Sequence, residues 1–562
     1  MFFLSITKKK LIKAIASSIV FFCLVQTAYS QLPPNAGSVS RDAIAPRLAS
    51  PQNNATLPQI DAVVPSTTKS TDPTPIAVKS INITGATLFS PDTLQALIAN
   101  VATGNRTLGE LQNAAGRITA HYRKSGYFLA RAYLPAQKME DGQVTIVVLE
   151  GKLTEVQVQN TSRISDAAAT ARLAGLAPGT VMQRAAVDRA LLLLGDVPGV
   201  GGVDSRLTPG ANTGETVLVA VVRPAPAWSG KVDADNYGSL YSGRYRLGGS
   251  IDGNSPLGFG ERISATLLVS NEKLVYGRAG VQAPIGASGL TVGAGFNHSQ
   301  YLLADVYKEL DAVGYSDTFE VNARYPLVRS VPFNLYGQAG AEHRKLHDDV
   351  RSTNTQTDKR ANVATLGLQA DWRDSLGGWG ADSQAGITLI GGKLKIITED
   401  AAAIDARGAN TAGSYGKVSI NLGRQQALID KLSLGAQLRG QWASKNLDSS
   451  EKLSLGGISG VRAYPAGEAA GDSGWVGSLE LRYAVLSQVA ASVFYDAGSI
   501  NVNANPYLPT ANKRSLSGAG VGLAGVYEAL DWRMSLAWRT SEAATYEPDK
   551  KPRFWAQAGW RF

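Results

Sequence analysis

The sequence predicts a transmembrane β-barrel preceded by two small α/β modules. Three observations carry that prediction. The chain opens in the manner of an exported protein. Only 18% of its residues are charged, against about 25% in typical soluble proteins, yet no stretch after the opening has the roughly 18 continuous apolar residues that mark a transmembrane helix. From Trp228 to the end, apolar residues recur at every second position, which is the period of a strand.

The opening is an address. Lys8, Lys9, Lys10 and Lys13 form a basic start, Ala14 to Val25 is apolar, and Ala28-Tyr29-Ser30 places small residues at the −3 and −1 positions of a cleavage site. This is the layout of a secretory signal peptide over residues 1–30. About a dozen apolar residues are too few for a bilayer span, which needs roughly 20. The single cysteine, Cys23, lies inside the apolar stretch, so the mature chain is expected to have none. That excludes a disulfide framework and a thiolate zinc site. Taking the four leader lysines from 55 Lys and Arg leaves 51 against 46 Asp and Glu, a net charge of +5. So mild and scattered an excess does not argue for nucleic acid.

Residues 31–75 contain eight prolines among Ser, Thr, Asn and Gln, and read as an extended linker. One short helical window, Ala36 to Leu48, lies within it, with Pro46 disturbing its end. Composition alone favours disorder there.

Residues 76–153 have the order strand, two helices, two strands. Val78 to Thr84 alternates. Pro91 opens a helix with Leu94, Leu97, Ile98 and Val101 on one face. Leu111, Ala115, Ile118 and Tyr122 form the stripe of a second helix, which ends at Gly126. Tyr127 to Leu134 and Val144 to Leu149 are the closing strands. Residues 154–225 repeat this order: a short strand at Val156 to Val158, a helix over Ala167 to Leu176, a second helical face at Val187, Leu191 and Leu194, and strands at Val203 to Leu207 and Thr216 to Val222. Two units of the same order suggest a tandem repeat.

Residues 226–562 are the predicted barrel. Phe319, Val321, Ala323 and Tyr325 alternate with Glu320, Asn322 and Arg324. Ala364 to Trp372, Leu432 to Trp442, Leu530 to Trp538 and Phe554 to Phe562 behave likewise. Each segment is about 9–11 residues, the length of a tilted membrane strand. Lipid leaves no backbone polar group a partner outside the protein, so such strands must close into a ring. A soluble sandwich also alternates, but its strands average only about 5–6 residues. The last strand ends in aromatics, Trp560 and Phe562 among them, and these are candidates for guiding barrel assembly.

Catalytic signals are weak. Gly520, Gly522 and Gly525 spell a dinucleotide-like motif, but inside an alternating strand rather than between a strand and a helix. His343 and His347 stand four apart in a charged stretch that reads as a loop, without the helical periodicity a metal pair needs. No nucleophile elbow or phosphate loop occurs. The expectation is no enzyme, no metal and no cofactor.

Three stretches resemble the outer-membrane transporters of two-partner secretion, the haemolysin secretion/activation (ShlB/FhaC/HecB) type. The first is Gly126-Tyr127-Phe128-Leu129-Ala130-Arg131-Ala132-Tyr133-Leu134-Pro135-Ala136-Gln137, with Asp141-Gly142 and Leu149-Glu150-Gly151 after it; it is similar to the first periplasmic POTRA module. The second, Gly460-Val461-Arg462-Ala463-Tyr464-Pro465, is similar to the tip of the long sixth extracellular loop, with Ala463 where the motif has glycine. The third, Phe494-Tyr495-Asp496-Ala497-Gly498, is similar to the F-x-D-x-G barrel strand. Asp235-Asn236-Tyr237-Gly238 and Gly243-Arg244 also fit.

The resemblance implies two POTRA modules, a barrel of 16 antiparallel strands, and a plug helix at the linker's helical window. It implies export of one large exoprotein, recognised through an N-terminal secretion domain, with Gly126, Tyr127, Arg131, Pro135, Glu150 and Gly151 in the recognising module. Val461, Arg462 and Tyr464 of the loop, with Phe494, Asp496 and Gly498 of the strand, are the pore candidates. Arg462 is expected to pair with Asp496, which shares a strand face with Phe494 and Gly498. The expected setting is the outer membrane of a Gram-negative bacterium with the modules in the periplasm. Outer-membrane lipid surrounds the barrel, and the barrel-assembly machinery and periplasmic chaperones act during biogenesis. A barrel-assembly insertase shares the barrel and arginine loop but carries more periplasmic modules; a passive porin needs neither modules nor the Arg and Asp motifs.

Overall fold

The structure, a computed structural model, describes residues 33–44, 60–61, 72–138 and 140–562. The leader over residues 1–30, Cys23 with it, and most of the proline-rich stretch lie outside the described residues. Helix α1 (Ala36–Ile44) and the two-residue strand β1 (Ile60–Asp61) come first in the chain.

The first module holds β2 (Pro75–Val78), β3 (Ser80–Thr84), α2 (Pro91–Ile98), β4 (Gly104–Thr107), α3 (Leu108–Lys124), β5 (Arg131–Tyr133) and β6 (Gln143–Leu149). Each helix starts where the sequence supplies an acceptor for its unpaired N–H groups. Ser90 accepts from the Thr93 N–H ahead of Pro91, and Thr107 and Glu110 cap each other's backbone at the start of α3. Leu111, Ala115, Ile118 and Tyr122 are all buried against β3-β6-β5. Two sequence expectations change here. The alternating segment from Val78 breaks at Lys79, whose N–H turns to the Gly142 carbonyl at 2.7 Å. The strand expected from Tyr127 is paired only at Arg131–Tyr133, because the Tyr127 N–H folds back to the Tyr122 carbonyl and that of Ala130 to Tyr127.

Apart from the extra β2-β4 pair of the first module, the second unit has the same order: β7 (Lys152–Asn160), α4 (Asp166–Leu173), α5 (Arg184–Gly195), β8 (Val200–Pro209) and β9 (Glu215–Pro224). Its sheet runs β1-β8-β9-β7, so β1 is an outer strand contributed by the segment that follows α1. Val187, Leu191 and Leu194 of α5 are buried on that sheet. The unit rests on the short turns at one end of the barrel. Asp196 forms a bidentate pair with Arg329 at 2.7 and 2.8 Å, Arg189 donates to the Pro326 carbonyl, and the Ser165 N–H donates to Gly258.

The barrel is closed and has 16 strands, from β10 (Trp228–Asp235) through β20 (Leu432–Ala443) and from β23 (Ser473–Leu486) to β27 (Arg553–Arg561). The short pair β21 (Leu453–Ser454) and β22 (Ala470–Gly471) lies in the connection between β20 and β23. The period of two resolves as expected into a lipid face and a lumen face: Val493 and Tyr495 are exposed while Phe494 and Asp496, between and beside them, are buried. Strand length does not follow the expected even 9–11 residues. It ranges from 8 in β10 to 20 in β17 (Thr355–Asp374), with 18 each in β15 (Ala312–Arg329) and β16 (Phe333–Val350). Backbone pairing needs no apolar face, so these strands continue above the apolar band with polar residues such as Asp348 and Asp349 still in register with β15. The ring closes over a short ladder, five register pairs between β10 and β27. The N–H and carbonyl of Phe562 complete it with Gly230 at 3.1 and 2.9 Å.

Candidate functional site

Residues 444–472, the long connection between β20 and β23, fold back into the lumen. Tight turns make this reversal possible. The N–H of Val461 donates to the Leu455 carbonyl, that of Gly460 to Gly457, and that of Tyr464 to Val461. The two limbs pair where Leu455 and Gly456 donate to Ala469 and Glu468. Val461, Ala463 and Tyr464 then bury their side chains with Phe494, Val476 and Leu516 of the wall. The Tyr464 hydroxyl reaches the Ser541 hydroxyl at 2.9 Å and the Glu542 carbonyl at 2.5 Å.

Arg462 is the polar centre of that buried tip. Its Nε and Nη2 donate to the two carboxylate oxygens of Asp496, each at 2.9 Å, and its own backbone N–H donates to Oδ2 at 3.0 Å. Nη1 donates to Glu480 at 2.8 Å and Nη2 also to Ser478 at 3.0 Å. The guanidinium carbon lies 3.3 Å from the centre of the Phe494 ring. The Arg462 carbonyl accepts from the Trp555 indole at 2.7 Å. A buried carboxylate is costly unless it is paired and hydrogen-bonded; Asp496 is fully buried and has both. A planar fork meets a planar carboxylate in two parallel bonds, which a lysine cannot do.

Small residues on the wall let the tip lie flat. A Cβ on Gly498 would stand 2.8 Å from a Leu455 methyl, and one on Gly518 would stand 2.5 Å from the Ala463 methyl. Gly520 has no room for a Cβ beside the Phe494 ring. Gly520, Gly522 and Gly525 all lie in β25 (Lys513–Tyr527), so the dinucleotide-like spelling is part of a barrel strand.

Further ion pairs hold the limbs. Buried Glu468 accepts from Arg514 at 2.6 Å and from the N–H groups of Thr545 and Tyr546. At the other limb, Asp448 pairs with Lys359 at 2.7 Å, and Glu451 with Arg344 at 2.5 Å and Lys417 at 2.8 Å. Helix α1 sits in the lumen against this limb and against β14 (Leu290–Leu302), β15 and β16. Asn35 accepts from the Ser449 hydroxyl at 2.6 Å, Arg41 donates to the Ser449 carbonyl at 2.8 Å, and the Ala36 N–H donates to Asp348 at 2.6 Å.

The module residues singled out by resemblance are placed differently. Glu150 is buried and accepts from the Thr87 and Leu88 N–H groups, the Thr87 hydroxyl and the Tyr122 hydroxyl. Burial pushes its pKa up, but those hydrogen bonds outweigh burial and hold it below the ordinary carboxylate value; burial and the Glu150 contact push Tyr122 up. Gly151 has φ +75° and packs its backbone on Leu129, so it turns the chain between modules. Gly126, at φ +92°, ends α3, and its carbonyl accepts from the Arg184 N–H of the second unit. Tyr127 packs edge-on to Phe89 and Tyr122. Arg131 lies over Tyr133, and the Pro135 carbonyl accepts from Gln137. Trp560 and Phe562 face outward on the closing strand.

Sequence reading missed Glu480, Ser478 and Trp555 around the arginine. A carboxylate at the lumen position between exposed Leu479 and Leu481 was the available signal for Glu480. The stretch with His343 and His347 is not a loop: both lie on β16, where His343 bonds Asn362 at 2.7 Å and His347 bonds Asp358 at 2.8 Å. A strand places residues four apart more than 10 Å from each other, at roughly 3.3 Å per residue.

Comparison with known proteins places this geometry. Residues 214–525 match the family described as haemolysin secretion/activation protein ShlB/FhaC/HecB, and residues 76–151 match the ShlB-type POTRA domain. The chain belongs to the haemolysin secretion/activation family. It is 28% identical over 414 residues to the heme/hemopexin transporter protein HuxB of Haemophilus influenzae, covering 72% of each chain. It is 24% identical over 479 residues to the outer membrane transporter CdiB of Escherichia coli, covering 82% of this chain and 78% of that one. The solved structure of CdiB from Escherichia coli covers all of both chains with a TM-score of 0.72 at 19% identity, which is a likeness of fold. As a member of this family the protein is an outer-membrane barrel transporter of two-partner secretion, with its POTRA region in the periplasm.

Proposed function

We propose that this protein exports one large exoprotein in an extended state through its lumen, after capture by the periplasmic modules, and carries out no catalysis on it. The observation that carries the reading is a closed polar lumen stoppered by two of the chain's own segments, α1 and residues 444–472. Both are held by side-chain hydrogen bonds and ion pairs together with small apolar clusters, rather than by strand pairing with the barrel wall. An extended chain gains main-chain hydrogen bonds by adding to a sheet edge, and β3, β5 and β8 are outer or nearly outer strands. The Arg462–Asp496 pair fixes the loop in its resting place, so Arg462, Tyr464, Val461, Phe494, Asp496 and Gly498 act together as the gate element. Trp560 and Phe562 are the outward aromatics of the closing strand that assembly factors grip. Outer-membrane lipid, the barrel-assembly machinery and periplasmic chaperones are the remaining partners, without nucleic acid. The lumen's two occupants speak against a passive porin, and two modules speak against an insertase.

The test is deletion of the chain in its own host followed by comparison of culture medium and cell surface. One large protein is expected to vanish from both. An unchanged set of exported proteins overturns the reading.

A further inference from the structure

On the outward face of the barrel, a row of like charges crosses three neighbouring strands. Lys345 of β16 is the register partner of Arg360 on β17, and Arg360 is the partner of Lys395 on β18 (Ala381–Ile396). Their direction follows from the period of two. Their sequence neighbours turn into the lumen, where Arg344 pairs with Glu451, Lys359 pairs with Asp448, and Leu394 is buried. Lys345, Arg360 and Lys395 therefore point outward, and all three are exposed. Lys393, exposed as well, is the next outward residue below Lys395.

Like charges directly opposite one another destabilise a sheet. Among the described residues, none of these four cations has an ion-pair or hydrogen-bond partner. The carboxylates beside the row on this face are already engaged. Asp317, the register partner of Lys345 on β15, bonds His298 at 2.6 Å, and Asp358 bonds His347 at 2.8 Å.

The row has a defined height. Phe333 and Trp372 are partners beside the turn whose Arg329 meets the second unit. Lys345 stands 12 residues above Phe333, and Arg360 stands 12 above Trp372. At about 3.3 Å per residue and a tilt of about 40°, that is roughly 30 Å of height. The apolar band of such barrels is about 25 Å tall. The exposed aromatics Phe296 and Phe319 lie in one register row with His343, two residues below Lys345. The cations thus stand at the headgroup level of the leaflet away from the periplasmic modules.

We propose that Lys345, Arg360, Lys393 and Lys395 form a binding site for a phosphorylated glycolipid of the outer leaflet. This goes beyond the export reading and does not depend on it. The cations without partners call for an anion, and phosphate suits both the planar fork of arginine and the point charges of lysine. Register partners stand about 5 Å apart, so the row spans roughly 10 Å, room for a headgroup with more than one phosphate. The face below calls for acyl chains. Ala341, Ala364 and Gly391 are partners in one row, and a Cβ on Gly391 would meet nothing within 4 Å, so they form a shallow trough above the exposed Leu366 and Leu389. Between trough and cations, His343 and Asn362, bonded at 2.7 Å, offer hydrogen-bonding groups to a sugar. The bound lipid neutralises the row and braces β16, the strand against which α1 rests on the lumen side.

The experiment uses the full chain purified in detergent, with bound lipid read by native mass spectrometry. The probes are bisphosphorylated lipid A, the same lipid without its phosphates, phosphatidylglycerol and inorganic phosphate. Bisphosphorylated lipid A is expected to stay on the barrel, the other two lipids to bind at least tenfold more weakly, and inorganic phosphate at equal concentration not to displace it. Lys345→Gln, Arg360→Gln and Lys395→Gln together are expected to weaken lipid A binding at least tenfold in a barrel that remains heat-modifiable. Lys273→Gln, Lys513→Gln and Lys550→Gln together, exposed cations elsewhere on the chain, are expected to leave it unchanged. Unchanged binding by the first triple variant, or an equal loss in the second, overturns the proposal. Equal binding of the phosphate-free lipid or of phosphatidylglycerol, or displacement by inorganic phosphate, overturns it on the unaltered chain alone.

Discussion

The methyl group of Ala463 lies against Gly518, at a spot where a Cβ on the glycine would be 2.5 Å away. The family's motif has glycine at the loop position; this chain has alanine and a bare wall opposite. Gly518→Ala therefore overpacks the contact, at a typical cost of about 1–3 kcal/mol, and lifts the tip. Export is expected to fall, and Ala463→Gly in the same chain is expected to restore it. Limited proteolysis of residues 456–467 in outer membranes checks whether the loop moved.

Arg462→Ala leaves Asp496 buried without its cation. Breaking a buried pair from one side costs about 3–5 kcal/mol, and that cost falls on the seated loop. The barrel's 16-strand ladder does not include Arg462. The expected result is a heat-modifiable barrel in normal amount with export reduced at least tenfold. Arg462→Lys keeps the charge but loses the fork, and an intermediate export level is expected.

Helix α1 touches the loop limb through a residue with no side chain. A Cβ on Gly37 would stand 2.6 Å from the Ser449 hydroxyl and 3.0 Å from Asp448. Gly37→Val is expected to unseat the helix while leaving the barrel folded. Single-channel recording in planar bilayers should show more frequent large openings than the unaltered chain, and Ser449→Gly should reduce that difference.

Glu150 ties the first module to acidity. Its folded pKa lies below the ordinary 4.5 because the charged form accepts hydrogen bonds from Thr87, Tyr122 and Leu88. A depressed carboxylate pKa contributes stability that is full above the unfolded value and is lost as pH falls through the folded one. Hydrogen exchange of residues 76–151 in the whole protein is expected to quicken as pH drops below about 4.5, beyond the change in intrinsic exchange. Glu150→Gln is expected to cost about 1–3 kcal/mol and to flatten that dependence.

Much of the fold was legible because lipid enforces one rule on every strand. Val493 and Tyr495 outward with Phe494 and Asp496 inward follow from a period of two and nothing else. Pro91 and the apolar stripe Leu111, Ala115, Ile118 and Tyr122 likewise marked α2 and α3, while the caps at Ser90 and Thr107 emerged only from the structure. The extended upper halves of β15, β16 and β17 were not legible, since both faces there meet water or polar lumen and leave no alternation to read. The same blindness turned the His343–His347 stretch into an apparent loop. In the site, Arg462 and Asp496 could be paired from motifs, but Glu480, Trp555 and the Glu468–Arg514 pair depend on register between strands far apart in sequence. Glu150 is legible as important and misleading as to why: in the structure it fastens the module's interior to Tyr122 and the Thr87 turn.

The contacts of α1 also set an order of events in biogenesis. Ala36 meets Asp348 across 312 residues and Asn35 meets Ser449 across 414. The helix leaves the ribosome early, yet its seat exists only after β16 and the connection between β20 and β23 have been made and brought round. Contacts so distant in sequence form late, because their loops must close first. The seat of α1 is therefore built by parts of the chain made long after the helix, and the helix can dock only once they are in place.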